Sequence, residues 1–372
     1  MMEIRIRIFF VTCIAVALQI CASCRRVQHA TSPRSNNGES SLTNHLYVAY
    51  RFTSQSGALQ YVGDVFFTNS AASSIGLSVD SHGIRRVKTI RFHDATFENV
   101  VTEAIPFKFS PTNFVYDIDV ETITKLHFGE KYVTNASGLE ALSALQSLFC
   151  HANNLTRLDV SHNTNLIKLL CRDNPELRNL DVSHNSRLQY LSCGGKTFEE
   201  LNVSNCTNLT VLYCAGRLKN LDLSDCVNLT DLACTGTDLI SLDVSRNTKL
   251  RSLAFDLNDL ATTLDVSHNT NLTHLSCGAN NLQALDISRN TKLTHLSCAD
   301  NCLRALDVSK NPNLTVLQCQ GNQLRTLDIS SNTNIIHVNA TGNPLAEIVG
   351  WWNPPSNVPS SVLLEIGVRT LE

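Results

Sequence analysis

Apolar residues return along this chain at a fixed interval. From Leu145 onward a leucine is followed by a second three positions later and a cysteine two after that, then an asparagine, more leucines and the run Leu-Asp-Val-Ser-x-Asn. The stretch 272–292, LTHLSCGANNLQALDISRNTK, is followed directly by LTHLSCADNCLRALDVSKNPN. Cut at the first leucine, the units are 145–165, 166–187, 188–208, 209–228, 229–249, 250–271, 272–292, 293–313 and 314–334, each of 20 to 22 residues, with a partial tenth from Ile335.

The first half of a unit, such as Leu272, Leu275 and Cys277 before Asn280, has the alternation of a short strand that ends in an asparagine turn. The second half alternates again, with Leu285 and Ile287 inward and Asp286 and Ser288 outward. About ten residues leave no room for a full α-helix, so a short extended segment is expected on that side. No unit can hide its leucines alone, so the units must stack. At about 4.8 Å per rung, ten rungs form a slab of about 48 Å. The fold class expected is a leucine-rich-repeat solenoid with parallel β-strands, about ten rungs and a short extended convex side, over residues 124–349.

Flanking segments read differently. In 44–123 the stretches HLYVAYRF, LQYVGDVFF, GIRRVKTIRF and FVYDIDV all alternate, which predicts a β-rich N-terminal cap or small domain. Residues 350–372 are expected to form a C-terminal cap, with Trp351, Trp352, Pro354 and Pro355 closing the core. Residues 1–24 carry Arg5 and Arg7 before an apolar run from Ile8 to Ile20, the form of a secretory signal. Ala22 and Ser23 before Cys24 resemble a bacterial lipobox, which makes Cys24 the candidate for lipidation, although Cys21 stands where that box usually has leucine. Residues 25–43 are polar and suit a flexible linker.

The pattern LxxLxCxxNxLxxLDVSxN resembles the cysteine-ladder leucine-rich repeats of internalin J and related bacterial surface adhesins. The resemblance implies adhesion or protein binding in kind and names no ligand. It departs from internalins in the strand-like N-terminal region, where those proteins have a helical cap. It departs again in the C-terminal VLLEIGVRTLE, which shows no wall-sorting signal, so anchoring would fall to the N-terminal lipid.

Composition narrows the partners. With 43% hydrophobic and 17% charged residues the chain is a folded one, and its net charge of −3 gives no basic field for a polyanion, which excludes nucleic acid. A membrane enters only through the N-terminal lipid. No GxSxG, P-loop, HExxH or paired CxxC occurs, and the His, Asp and Ser residues recur as columns set by the repeat. An enzyme and a bound cofactor or metal are therefore not expected.

Each column has its own reading. Cys150, Cys171, Cys193, Cys214, Cys234, Cys277, Cys298 and Cys319 are a structural ladder of buried free thiols, since stacked parallel side chains do not face one another for a bridge and a line of thiols is not a tetrahedral site. Cys206 and Cys226 stand where LDVSxN has its asparagine; they either pair as a disulfide or bond the backbone in the asparagine's place. The asparagines are expected to satisfy buried turns. The aspartate column, Asp159 to Asp328, is either bonded by its neighbours or bridged by calcium.

The variable residues of each strand face outward, and there a partner would bind. The candidates are Phe149, His151, Lys168, Leu170, Arg172, Tyr190, Tyr213 and Asp231, with Phe149, Leu170, Tyr190 and Tyr213 on consecutive rungs. Further along, the outward residues shrink to Ala233, Ala254, Ser276 and Ser297, while His274 and His295 are neighbours on a solvated face. The leading expectation is an exported cell-surface adhesin that binds a protein or glycoprotein on a host or bacterial surface. The alternatives are an envelope or biofilm scaffold that self-associates, and calcium-dependent glycan binding.

Overall fold

A computed structural model describes residues 47–55, 58–66, 84–86, 90–105, 120–258, 263–345, 347–351 and 363–365. Two units are distinguished, Met1–Tyr47 with Phe66–Gly83 and Val48–Val65 with Ile84–Glu372, and the solenoid belongs to the second. The segment 1–24 expected to be a signal, with Cys24, the expected linker 25–43, most of FVYDIDV, and Trp352, Pro354 and Pro355 lie outside the described residues.

Twelve parallel strands form one sheet. In order they are Lys125–His127, Ser147–Phe149, Lys168–Leu170, Tyr190–Gly194, Val211–Ala215, Asp231–Cys234, Ser252–Ala254, His274–Ser276, His295–Ser297, Val316–Gln318, His337–Asn339 and Leu363–Glu365. The register places one inward residue of each strand opposite the next, as in Leu148 against Leu169 and Leu275 against Leu296. Such a column fills the core evenly, and burial of each leucine contributes about 1.5–3 kcal/mol relative to exposure. On the opposite side the chain is extended, and among the described residues only two short ladders form there, Asn179–Asp181 with Glu200–Asn202 and Thr326–Asp328 with Glu347–Val349. The solenoid with little helix is as expected. The sheet also runs on past residue 349, through Leu363–Glu365, which pairs with His337–Asn339.

The cysteine ladder is buried throughout, with Phe128 and Phe255 filling its slot in two rungs and Ala340 in another. Beside it runs the first asparagine column. Asn301 donates through Nδ2 to the carbonyls of Cys277 (3.0 Å) and Cys298 (3.1 Å), and its Oδ1 accepts from the Leu282 N–H (3.0 Å). Each such asparagine therefore ties its own rung to the one before. The second column does half as much: Asn290 Nδ2 donates to the carbonyls of Val266 and Asn269, both 3.0 Å, while its buried Oδ1 has no partner.

That difference explains the two odd cysteines. A position that needs a donor and leaves its acceptor idle tolerates a thiol, which donates weakly and is small. Cys206 Sγ meets the Val182 carbonyl at 3.4 Å and Cys226 Sγ the Val203 carbonyl at 3.7 Å. Each thiol thus meets a backbone carbonyl of the preceding rung, the second of the two readings.

The N-terminal region corrects one expectation. Strands do form at Tyr47–Gln55, Ala58–Phe66 and Ile84–Arg86, in one three-stranded sheet. The element that precedes the solenoid, however, is a helix, Ala95–Ala104. Its apolar residues Phe97, Val100, Val101 and Ala104 recur at helical spacing, with Phe97 and Val101 fully buried. Asp94 is its N-cap and accepts from the N–H groups of Thr96 and Phe97. The other Asp94 oxygen takes the Thr134 N–H (2.7 Å) and hydroxyl (2.8 Å), which fastens the helix to the first solenoid loop. Desolvation pushes the Asp94 carboxyl up, and the bonds from Thr134, Phe97 and Thr96 together bring it below its ordinary range. Phe97 meets Phe128 edge-on at 5.1 Å, so an aromatic closes the first rung where later rungs have cysteine.

Candidate binding face

The outward residues of the sheet fall into two columns, one on each side of the inward leucine. Lys125, Ser147, Lys168, Tyr190, Val211, Asp231 and Ser252 form one; His127, Phe149, Leu170, Ser192, Tyr213 and Ala233 form the other. Tyr190 thus stands beside Lys168 rather than in line with Phe149, Leu170 and Tyr213, and Ser192 occupies the rung between Leu170 and Tyr213. The four large residues are on consecutive rungs, but their rings zigzag across two columns.

The zigzag makes a continuous patch. Lys168 Nζ lies 4.6 Å from the Tyr190 ring centroid and 5.6 Å from that of Phe149, a cation shared between two π faces. Tyr190 and Tyr213 meet edge-to-face at 5.8 Å. On the other flank His127 contacts Phe149 edge-on at 5.7 Å and stacks on His151 at 5.8 Å. Phe149, Lys168, Leu170, Tyr190 and Tyr213 are all half-buried, so their neighbours hold the rings while one side faces solvent.

Other candidates sit at the margin. His151 and Arg172 lie one residue past the ladder cysteines, at the strand ends. Arg172 is exposed and pairs with Asp173 at 3.6 Å. The His151 ring covers Gly129, where a Cβ would come within 2.6 Å of it, and its buried Nδ1 has no partner. Burial, then the His127 and Arg172 charges, lower the His151 pKa. Asp231 is two rungs from Tyr190 in the same column and accepts from the Thr230 hydroxyl at 2.6 Å. His127 is an addition to the expected set. Its rung, Ile123-x-x-Leu126-x-Phe128, follows the repeat with phenylalanine in place of cysteine, and that substitution hid it.

The aspartate column is accounted for locally. Asp286 Oδ1 accepts from the Ser288 N–H at 2.9 Å, and the same bond recurs from Asp159 with Ser161 through Asp328 with Ser330. Bonds from the Ser288 hydroxyl and N–H hold the Asp286 carboxyl below the ordinary 3.8.

Beyond the patch, His274 and His295 stack at 4.5 Å with planes 13° apart. The hydroxyls of Thr273 and Thr294 donate to the carbonyls of Arg251 and Thr273, both 3.0 Å, so each accepts from a histidine Nδ1–H at 2.9 Å. Burial lowers both pKa values below 6.5, and the His274 charge lowers that of His295 further. In an NMR titration both midpoints are expected under 6.5, and a His274→Asn variant raises that of His295. A histidine with a depressed folded pKa binds its proton more weakly folded than unfolded. Its stabilisation is therefore intact above 6.5 and falls away as pH drops from there through the folded midpoint. A midpoint at or above 6.5 for either ring contradicts its burial.

Comparison with solved structures agrees with the architecture. The functional domain of InlJ from Listeria monocytogenes, which includes a cysteine ladder, is 29% identical, with a TM-score of 0.54 and coverage of 71% of each chain. YopM, a leucine-rich effector protein from Yersinia pestis, is similar in fold at 20% identity and a TM-score of 0.52, over 73% of this chain and 84% of YopM. A leucine-rich-repeat protein of Leptospira interrogans is similar in fold at 17% identity and a TM-score of 0.50, over 62% of this chain and 79% of that one. No family model matches the chain, and no curated protein matches its sequence. The solenoid is a cysteine-ladder leucine-rich repeat that resembles internalin J. Among the described residues no helix is long and apolar enough to cross a membrane.

Proposed function

We propose that this cysteine-ladder solenoid is an exported bacterial protein-binding module, an adhesin that grips a protein or glycoprotein of a host or neighbouring bacterial surface with the rungs from His127 to Tyr213. The shared-cation cluster of Phe149, Lys168, Tyr190 and Tyr213 carries this reading. Stacking requires inward leucines and turn asparagines, and it places no demand on the outward positions. Large rings there expose apolar area at a sheet that alanine and serine cover elsewhere in the same molecule. Half-buried aromatic residues around a fixed cation are also pre-ordered, so a partner loses little of its binding free energy to immobilising them.

Export and attachment are read from the segment 1–24, with Cys24 as the lipid anchor. Self-association is the rival use of the same face. Sedimentation of the purified chain separates the two. A monomer over a broad concentration range, together with retained binding to a foreign surface protein, supports the adhesin. Concentration-dependent assembly that Tyr190→Ala and Tyr213→Ala abolish supports the scaffold.

A further inference from the structure

Cys214 and Cys234 differ from the rest of the ladder. They are register partners on adjacent strands, as Cys193 and Cys214 also are, but here the sulfurs lie 2.9 Å apart. Closure to a covalent bond needs an approach of about 0.9 Å, and neighbouring parallel strands hold Cα atoms within the range that disulfides span. The spacing reflects a local shortening. These two cysteines are 20 residues apart, where the other neighbouring ladder cysteines are 21 or 22 apart. At this rung pair two stacked thiols lie within contact of one another.

The pair also sits where the other cross-rung tie is missing. Elsewhere an asparagine joins the ladder carbonyls of successive rungs, as Asn322 does for Cys298 and Cys319. After Cys193, Cys214 and Cys234 the equivalent residues are Lys196, Arg217 and Thr237. Lys196 and Arg217 are exposed, and Thr237 gives its hydroxyl to Asn258. The two asparagines that would have bonded the Cys214 carbonyl are both absent.

We infer that Cys214 and Cys234 form a disulfide that ties these two rungs together, made while the chain folds in an oxidising compartment. Two thiols are oxidised and a disulfide-bearing oxidant, a protein thiol oxidase or oxidised glutathione, is reduced. One cysteine thiolate attacks the oxidant's disulfide and releases its first thiol. The second cysteine thiolate then attacks the mixed disulfide, closing the Sγ–Sγ bond and releasing the second thiol. Two cysteine protons are lost in all, and two oxidant thiols appear. Both sulfurs are buried, so the exchange precedes closure of the rungs over them.

The test needs no knowledge of the partner. The full chain is refolded in a glutathione redox buffer, and separately isolated folded from a bacterial periplasm. It is then unfolded, alkylated without reduction, and digested for peptide mass mapping. A cross-linked Cys214–Cys234 peptide, with the other ladder cysteines and the half-buried Cys302 alkylated, is the expected map. The oxidised chain should melt about 5 °C above its reduced form, and a Cys214→Ala, Cys234→Ala variant should lose that redox-dependent difference. Folded chain from either source in which both cysteines are alkylated overturns the inference, as does a bond between any other pair. Either result leaves the proposed binding face untouched.

Discussion

Replacing Gly194 with alanine is expected to destabilise the solenoid by about 2–5 kcal/mol, the sum of a left-handed backbone penalty and an overpacked contact. Gly194 has φ 112°, and a Cβ there would stand 2.0 Å from the Ala215 carbonyl oxygen and 2.7 Å from its nitrogen. The obstacle is backbone on the paired strand, so no rotamer change relieves it. Gly194 and Ala215 are register partners that extend two strands to five residues. Denaturant unfolding of the variant beside wild type checks the figure. A loss under about 1 kcal/mol would mean that the strands separate freely there.

Asn301→Ala is expected to cost a similar amount, about 3–5 kcal/mol, because the change orphans a buried N–H and removes donors from two buried carbonyls. Truncation leaves the Leu282 N–H without an acceptor and the Cys277 and Cys298 carbonyls without that side-chain donor. The instructive comparison is cysteine at each asparagine column. Asn290→Cys should cost only about 1 kcal/mol, since Cys206 and Cys226 already stand at that position and Asn290 Oδ1 is idle. Asn301→Cys should approach the alanine value, because a thiol cannot supply the acceptor. Equal losses at the two sites in chemical denaturation would contradict the assignment of different roles.

Much of this was legible in the chain. The leucine and cysteine columns dictate parallel stacking because each inward position repeats, and a half-unit of about ten residues has no room for a helix. What periodicity hides are the departures from it. The cap helix was readable in principle from Asp94 and the spacing of Phe97, Val101 and Ala104, but the alternating segments around it outweighed that signal. The first rung, Lys125–His127, lies inside the expected range 124–349 but off the unit pattern, because Phe128 fills the cysteine slot. The zigzag of Tyr190 and Tyr213 depends on which side of the inward leucine each residue falls: Tyr190 precedes Leu191 and Tyr213 follows Leu212, two positions apart on the same face. The contact of Cys214 with Cys234 follows from a repeat one residue short, visible as a number but not as a geometry.

The binding face is tested most directly by quantitative capture. The full chain, a Tyr190→Ala, Tyr213→Ala variant and a His274→Ala, His295→Ala variant are immobilised at equal density and exposed to solubilised host and bacterial surface proteins. The affinity of any protein retained by wild type is then measured against all three. At least a tenfold weaker Kd is expected for the tyrosine variant, corresponding to about 1.4 kcal/mol, and unchanged binding for the histidine variant, with all three folded at the assay temperature. Equal affinity of the tyrosine variant and wild type for the captured protein would contradict the proposed binding face.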